Sequence, residues 1–199
     1  MSIGIIGSGG IGQAMAGHLV AAGLEILVSN SRGPESLAEV VSRLGPLATA
    51  GTRQDAAEAE VVVLAVPWPQ VPAALSDLPP WSGRILIDAT NPVVEPGLGL
   101  APLGGRTSSE IVASLAHGAR VVKAANTLPR ALLSADPRQF GGHRVMFMSG
   151  DDTTAKARVG GLLEKLGFAA IDLGGLASGG QLQQFPGGPL PTLNLVKLG

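Results

Sequence analysis

The chain has 199 residues, 45% hydrophobic and 15% charged, with a formal net charge of −1 and no cysteine. That length suits one domain, or one domain with a short appendage, and the apolar share suits a well-buried core. The charge balance excludes a basic nucleic-acid or anionic-membrane binder, and the missing thiols exclude disulfides, thiolate nucleophiles and zinc–thiolate sites.

No apolar run reaches the ~20 residues of a membrane span, and the opening MSIGIIG lacks the basic flank and long apolar stretch of a secretory signal. A cytoplasmic protein with no nucleic-acid or membrane partner is therefore expected. The 29 glycines and 15 prolines lie as punctuation between apolar segments, which signals many short loops rather than disorder. With no tyrosine and only 3% aromatics, the core must be built from Val, Ile, Leu and Ala.

In chain order, Ile3–Gly7 is a buried strand type. A helix follows with apolar residues at Ile11, Met15, Leu19 and Ala22, and Gly23 sits at its expected C-terminal cap. EILVS (Glu25–Ser29) is a second strand, and Pro34 opens a helix through PESLAEVVSRL. A weak strand near Leu47–Ala50 and a short helix near Arg53–Glu58 lead to VVVLAV (Val61–Val66), the clearest strand, cut by Pro67 and Pro69. A helix through Val71–Leu75 precedes the strand Arg84–Thr90, and the Pro- and Gly-rich Asn91–Arg106 reads as an ordered surface loop. Thr107–Glu110 has the spacing of a capping box before IVASLA. The strands ARVVKA and RVMFMSG, a helix from Asp152 to Leu166 and the strand FAAIDL close the pattern. The tail Gly174–Gly199 is mostly loop with one helical turn.

About eight strands alternating with helices predict an α/β, Rossmann-type doubly wound fold, its mainly parallel sheet covered by helices on both faces. Neither an internal repeat nor a second core is visible.

GIIGSGGIG places Gly7, Gly9 and Gly12 in the G-x-G-x-x-G spacing between that first strand and helix. Gly7 permits the tight turn, Gly9 lets the backbone approach a pyrophosphate, and Gly12 lets the helix pack on the strand. The helix N-terminus then offers free N–H groups to the anion. Ser8, Gly10 and Ile11 belong to the same loop. An NAD site would carry an acidic residue about 20 positions on, at the end of the second strand, to accept from the ribose hydroxyl. Asn30 stands there, followed by Ser31 and Arg32. A carboxylate would repel a 2′-phosphate, whereas a hydroxyl and a guanidinium bind one. Such a charge-assisted contact is worth ~1.5–3 kcal/mol, roughly a 10–100-fold preference for NADP over NAD. The competing reading is a solvated turn with Arg32 exposed.

LAVPWPQ, with Ala65, Val66 and Pro67, and DATNP, with Ala89, Thr90 and Asn91, follow two further strands at the carboxyl ends where ligands collect. Thr90 and Asn91 are candidates to bond the nicotinamide ribose or carboxamide, against simple turns. VVKAANTLP puts Lys123 and Asn126 at another strand end, and Lys123 is either a proton donor or an ion-pair partner. His18, His117 and His143 have no metal-ligand spacing, so no metal is expected. Asp151 and Asp152 read as helix-start residues. No Ser/His/Asp elbow is present, which leaves catalytic residues unassigned.

GIIGSGGIG, SNSRGPES, LAVPW, DATNP, VVKAANTL, SGDDTTAK and LGFAAIDLG occur in the order seen in the NADPH-dependent F420 reductase-like family, and the chain resembles that family over about residues 3–175. The resemblance implies an NADP(H)-binding Rossmann-type domain, and the expected division of the chain is that domain over residues 1–173 with 174–199 as a C-terminal tail packed on it. The resemblance also implies kinship with the cytoplasmic reductase domains of membrane ferric reductases. In well-defined members hydride passes between NADP and the deazaflavin coenzyme F420, so the cofactors carry the chemistry and the protein stacks two rings. The family's cofactor residues carry over onto Gly7, Ser8, Gly9, Gly10, Ile11, Ser31, Arg32, Ala65, Pro67, Thr90 and Asn126. The chain departs at Ala125, expected near the ring-binding cleft, where relatives usually have Phe.

The expectation is an NADP-dependent oxidoreductase acting on coenzyme F420 or another small planar acceptor. Reduction of a small imine or keto substrate, or of a flavin or ferric chelate, is an alternative. A non-catalytic NADP sensor is another. A homodimer closing the cleft over the nicotinamide is compatible with each.

Overall fold

The computed structural model describes residues 1–94 and 99–199. The chain begins β1 (Ile3–Ile6), α1 (Gly10–Ala21), β2 (Ile26–Ser29), a 3-10 turn at Pro34–Leu37, α2 (Ala38–Leu44), β3 (Ala48–Ala50) and α3 (Arg53–Ala57). It continues with β4 (Val61–Leu64), a 3-10 turn at Trp68–Gln70, α4 (Val71–Leu75), β5 (Ile85–Asp88), β6 (Val93–Val94) and β7 (Gly99–Leu100). Then come α5 (Ser108–Leu115), β8 (Arg120–Ala124), α6 (Arg130–Ser134), β9 (Arg138–Gln139) and β10 (Gly142–Gly150). Last are α7 (Thr153–Lys165), β11 (Ala169–Asp172), α8 (Ser178–Gln183) and β12 (Val196–Leu198).

The main sheet runs β11-β10-β8-β5-β4-β1-β2-β3, with β9 and β12 both paired to β10. From β3 to β8 every pairing is parallel, the order of a doubly wound dinucleotide fold. β10 then turns antiparallel against β8, and β11 is parallel to β10. Strand order reverses at β1, whose neighbours are β2 on one side and β4 on the other. The crevice beyond the carboxyl ends of β1 and β4 is therefore the expected ligand site.

Strict alternation along the central strands builds two apolar layers. Ile3, Ile5, Val61, Val63, Ile85 and Ile87 point to one face, under Met15 and Leu19 of α1, Leu133 of α6 and Leu163 of α7. Ile6, Val62, Leu64 and Leu86 point to the other, under Ala56 of α3, Val71 and Ala74 of α4 and Val112 of α5. A Cβ at Gly4 would collide with the Ala56 backbone, so this glycine lets α3 press directly on β1.

Local signals locate the helix starts. Thr107 and Glu110 form a reciprocal capping box before α5, and the Asp152 carboxylate accepts from Ala155 N at the start of α7. The helix expected from Pro34 divides, because its first turn is 3-10. Asn91–Arg106, expected as a loop, contains the small antiparallel pair β6–β7, and its residues 95–98 lie outside the described residues. In the tail, β12 pairs antiparallel with the start of β10. The buried Arg144 guanidinium bridges Asn194 Oδ1 and the carbonyls of Leu132 and Asp136 there.

Candidate functional site

The turn from β1 into α1 needs its glycines for different reasons. Gly7 has φ +116°, and a Cβ there would run into the Ala65 backbone. A Cβ at Gly12 would strike the Gly7 carbonyl. At Gly9 a Cβ would meet nothing within 4 Å, so the open space over this residue is a cradle that a side chain would fill. Gln13 Nε2 donates to Ser8 O at 2.7 Å, and Arg43 donates to Gln13 Oε1 at 2.6 Å, which pins the loop from behind. Helix α1 starts with neither a side-chain cap nor an acidic first turn. Its leading N–H groups are left for an anion.

At the end of β2, buried Ser29 donates to Ile5 O at 2.9 Å. Asn30 then organises the loop. Its Nδ2 donates to Ser8 Oγ at 3.3 Å and to Ser36 Oγ at 2.9 Å, while its Oδ1 accepts from Arg32 N at 2.8 Å. Asn30 thus ties the glycine loop to the turn carrying the exposed Ser31 and Arg32. Gly7, Ser8, Gly9, Asn30, Ser31, Arg32, Ala65, Val66 and Pro67 line one cavity of ≈ 410 Å³.

Arg53, which sequence reasoning missed, lines the same cavity. Its NH1 donates to Ala73 O at 2.5 Å and to Ser76 O at 3.5 Å. The one signal for it was a cation opening a helix just past a strand's carboxyl end. Thr52 and Asp55 cap that helix reciprocally, and the Thr52 hydroxyl and backbone N–H bonds hold the Asp55 carboxyl below its ordinary value.

A second cavity of ≈ 770 Å³ shares Gly9, Ala65, Val66 and Pro67 with the first and continues across α1 and β5. Gly10, Ile11, Ala89, Thr90 and Asn91 line it, together with Trp68, Val93 and Val94, which sequence reasoning did not single out. Trp68 follows a strand end between two prolines, and the valines belong to the unforeseen β6–β7 pair. The two cavities form one groove, polar and cationic at the β2 end and largely apolar at the β5 end. Among the described residues lining it, Arg32 and Arg53 are the only ionisable side chains.

Beneath the apolar end lies a closed polar cluster. Asp88 Oδ1 accepts from Thr90 N at 2.9 Å and from Thr90 Oγ1 at 2.6 Å. Its Oδ2 accepts from Ser109 and from Lys123 Nζ at 3.3 Å. Lys123 Nζ also donates to Thr90 O and Ser108 Oγ, both at 3.1 Å. Lys123 and Asp88 are 0% exposed, so Lys123 is an ion-pair partner that braces the DATN turn rather than a donor facing the groove.

Asn126 is buried behind Asn91 and lines neither cavity. It donates Nδ2 to Asn91 Oδ1 at 2.9 Å, and Asn91 Nδ2 returns a bond to Asn126 O at 2.9 Å. Ala125, expected beside the ring-binding cleft, is instead 1% exposed in the core with Leu128 and Leu133. Its φ of +59° turns the strand end sharply, so the side chain enters the core while Asn126 is presented toward Asn91. Elsewhere His18 Nε2 bonds Leu133 O, His143 Nδ1 bonds Gly167 O, and Asp151 Oδ1 accepts from Leu176 N. Among the described residues no three His, Cys, Asp or Glu side chains converge as a metal set, and no helix is long and apolar enough to cross a membrane.

The open cradle at Gly9 fits the diphosphate of a dinucleotide, and the cationic end, with no carboxylate among the described residues lining it, fits a phosphorylated ribose. A family model described as NADP oxidoreductase, coenzyme F420-dependent, matches residues 2–92. The hypothetical protein SMa0349 from Sinorhizobium meliloti is 46% identical, with 99% of this chain and 96% of that one covered and a TM-score of 0.94. A proposed F420-dependent NADP reductase from Arthrobacter sp. FB24 is 32% identical over 88% of this chain and 86% of its own, with a TM-score of 0.78. The rat metalloreductase STEAP3 is 31% identical over 98% of this chain, which spans 38% of that protein's length.

Proposed function

The chain belongs to the family of coenzyme F420-dependent NADP oxidoreductases, and on that premise we propose that it transfers a hydride between NADP(H) and a planar acceptor, with the deazaflavin coenzyme F420 favoured. The observation that carries the reading is the groove itself. Its β2 end offers Ser31 and Arg32 where a carboxylate would select NAD, and its β5 end is walled by Ile11, Trp68, Val93 and Val94.

The residues divide the work along the groove. First-turn N–H groups of α1 would hold the diphosphate over Gly9, and Ser31 with Arg32 would hold the 2′-phosphate. Thr90 and Asn91, braced from below by Lys123 and Asn126, shape the nicotinamide end. NADPH supplies the hydride when bound. The protein's part is to align two rings and exclude water, a task for apolar walls on rigid strands rather than for an acid–base pair. That agrees with the lack of any described carboxylate or histidine lining the groove.

A second reading, reduction of a ferric chelate or flavin, is favoured by the likeness of nearly the whole chain to a metalloreductase. Titrating the protein with NADPH and NADH, then offering oxidised F420, a flavin and a ferric chelate, tests both. Wild type should bind NADPH roughly 10–100-fold more tightly than NADH and should reduce F420. Reduction of the chelate or flavin alone would move the assignment to the second reading. NADPH binding with no acceptor reduced would leave a sensor, and equal affinity for both nucleotides would sink the 2′-phosphate site.

A further inference from the structure

We propose that Arg53 is a second reader of the 2′-phosphate, resting on the NADP reading above. The residue lies 21 positions beyond Arg32, on a different element, yet both side chains line the same ≈ 410 Å³ cavity with Ser31 between the glycine loop and α4.

The two arginines are held in opposite ways. Arg32 is exposed on a turn and is anchored through its backbone, by the bond from Arg32 N to Asn30 Oδ1. Arg53 is half-buried, and its NH1 is fixed to the carbonyls of Ala73 and Ser76 at the end of α4. Those carbonyls orient the guanidinium without neutralising it. No carboxylate pairs with Arg53 among the described residues. Asp55, the nearest carboxylate in sequence, is consumed by Thr52, accepting from its backbone N at 2.8 Å and its hydroxyl at 2.7 Å. A fixed guanidinium with no carboxylate partner, in a cavity with no acidic side chain among the described residues lining it, recognises a dianionic phosphate, because little ordering remains to be done when the ligand arrives.

A residue that only braced α3 against α4 would leave the same geometry, so the test must read the phosphate and not the fold. The full chain and its Arg32→Ala, Arg53→Met and double variants are titrated with 2′,5′-ADP and with 5′-AMP, fragments that differ by the 2′-phosphate. Their melting temperatures are recorded alongside. Wild type should prefer 2′,5′-ADP. Each single variant should lose roughly tenfold of that preference while AMP affinity holds, and the double variant should lose all of it. Arg53→Lys should recover part of the loss. If Arg32→Ala alone erases the preference, or Arg53→Met weakens both fragments equally, Arg53 is a brace and the proposal is overturned while the NADP reading stands. No preference in wild type would overturn both. Should Arg53→Met fail to fold, the preference left in Arg32→Ala decides the matter.

Discussion

Gln183 and Asn126, far apart in sequence, share two buried hydrogen bonds. Asn126 Nδ2 donates to Gln183 O at 2.7 Å, and Gln183 Nε2 donates to Asn126 Oδ1 at 3.2 Å. Gln183 comes from α8 in the tail and is 0% exposed. It also accepts from Ser149 Oγ at 2.7 Å and donates to Phe147 O at 3.1 Å. Since Asn126 in turn bonds Asn91, this amide carries the position of the tail to the edge of the groove.

Gln183→Leu should therefore destabilise the fold by on the order of 3 kcal/mol, since several buried polar groups lose their partner at about 1–3 kcal/mol each. Gln183→Glu should be at least as damaging at neutral pH, because a buried carboxylate would face the Phe147 carbonyl. Urea unfolding at pH 7 checks both, and a loss below ~0.5 kcal/mol for Leu would show that the network is not under tension.

Lys123→Met leaves the Asp88 carboxylate buried without its cation and should cost about 3–5 kcal/mol. Adding Asp88→Asn removes the stranded charge and should restore part of that stability. The folded double variant should keep its hydride-transfer rate within a few-fold in single-turnover measurements. A loss of ~10²–10⁴-fold would reinstate Lys123 as a general acid.

The glycines of the first turn should separate by phenotype. Gly9→Val projects into open space and should leave the melting temperature nearly unchanged while abolishing binding of NADPH and NADH alike. Gly12→Ala forces a Cβ onto the Gly7 carbonyl and should cost ~1–3 kcal/mol of stability. Calorimetry paired with nucleotide titration reads both effects, and normal nucleotide affinity in Gly9→Val would count against the cradle.

The Thr52–Asp55 box that opens α3 has a pH signature. Asp55 is held below its ordinary value of 3.8, first by the Thr52 hydroxyl and then by the Thr52 backbone N–H. A depressed carboxyl contributes stability that is fully present above the unfolded value and is lost as pH falls through the folded one. The stability gap between wild type and Thr52→Val should accordingly be flat from pH 5 to 7 and narrow below about 3.8. A gap that widened on acidification would contradict this. Because the box carries Arg53, 2′,5′-ADP affinity should weaken in the same variant.

Much of this was legible along the chain. The strand–turn–helix with its glycine spacing is a local code, and so are the Thr107–Glu110 box and the Asp152 cap. SNSR is likewise a local feature, since its residue types and their distance from that turn are read along the chain, and the structure brings Ser31 and Arg32 into one cavity with the glycine loop. Arg53 stayed hidden, because its meaning lies in the cavity it shares with a loop on another strand. Ala125 misled, because proximity in sequence to a strand end does not say that a φ of +59° turns the side chain into the core. The reversal of β10 and the pairing of β12 with it were invisible as well, since hydrophobic alternation is the same in either direction.

The sequence by itself determined the parallel α/β framework, the glycine-rich strand–turn–helix and the presence of Ser31 and Arg32 where an acidic residue would mark an NAD site. These are properties of periodicity, backbone freedom and charge that neighbouring residues settle between themselves. Only the tertiary structure decided that Lys123 is sealed against Asp88, that the tail reaches Asn91 through Gln183 and Asn126, and that two arginines meet in one cavity. Burial and electrostatics depend on distances across the sheet, and those exist only once the strands have been laid side by side.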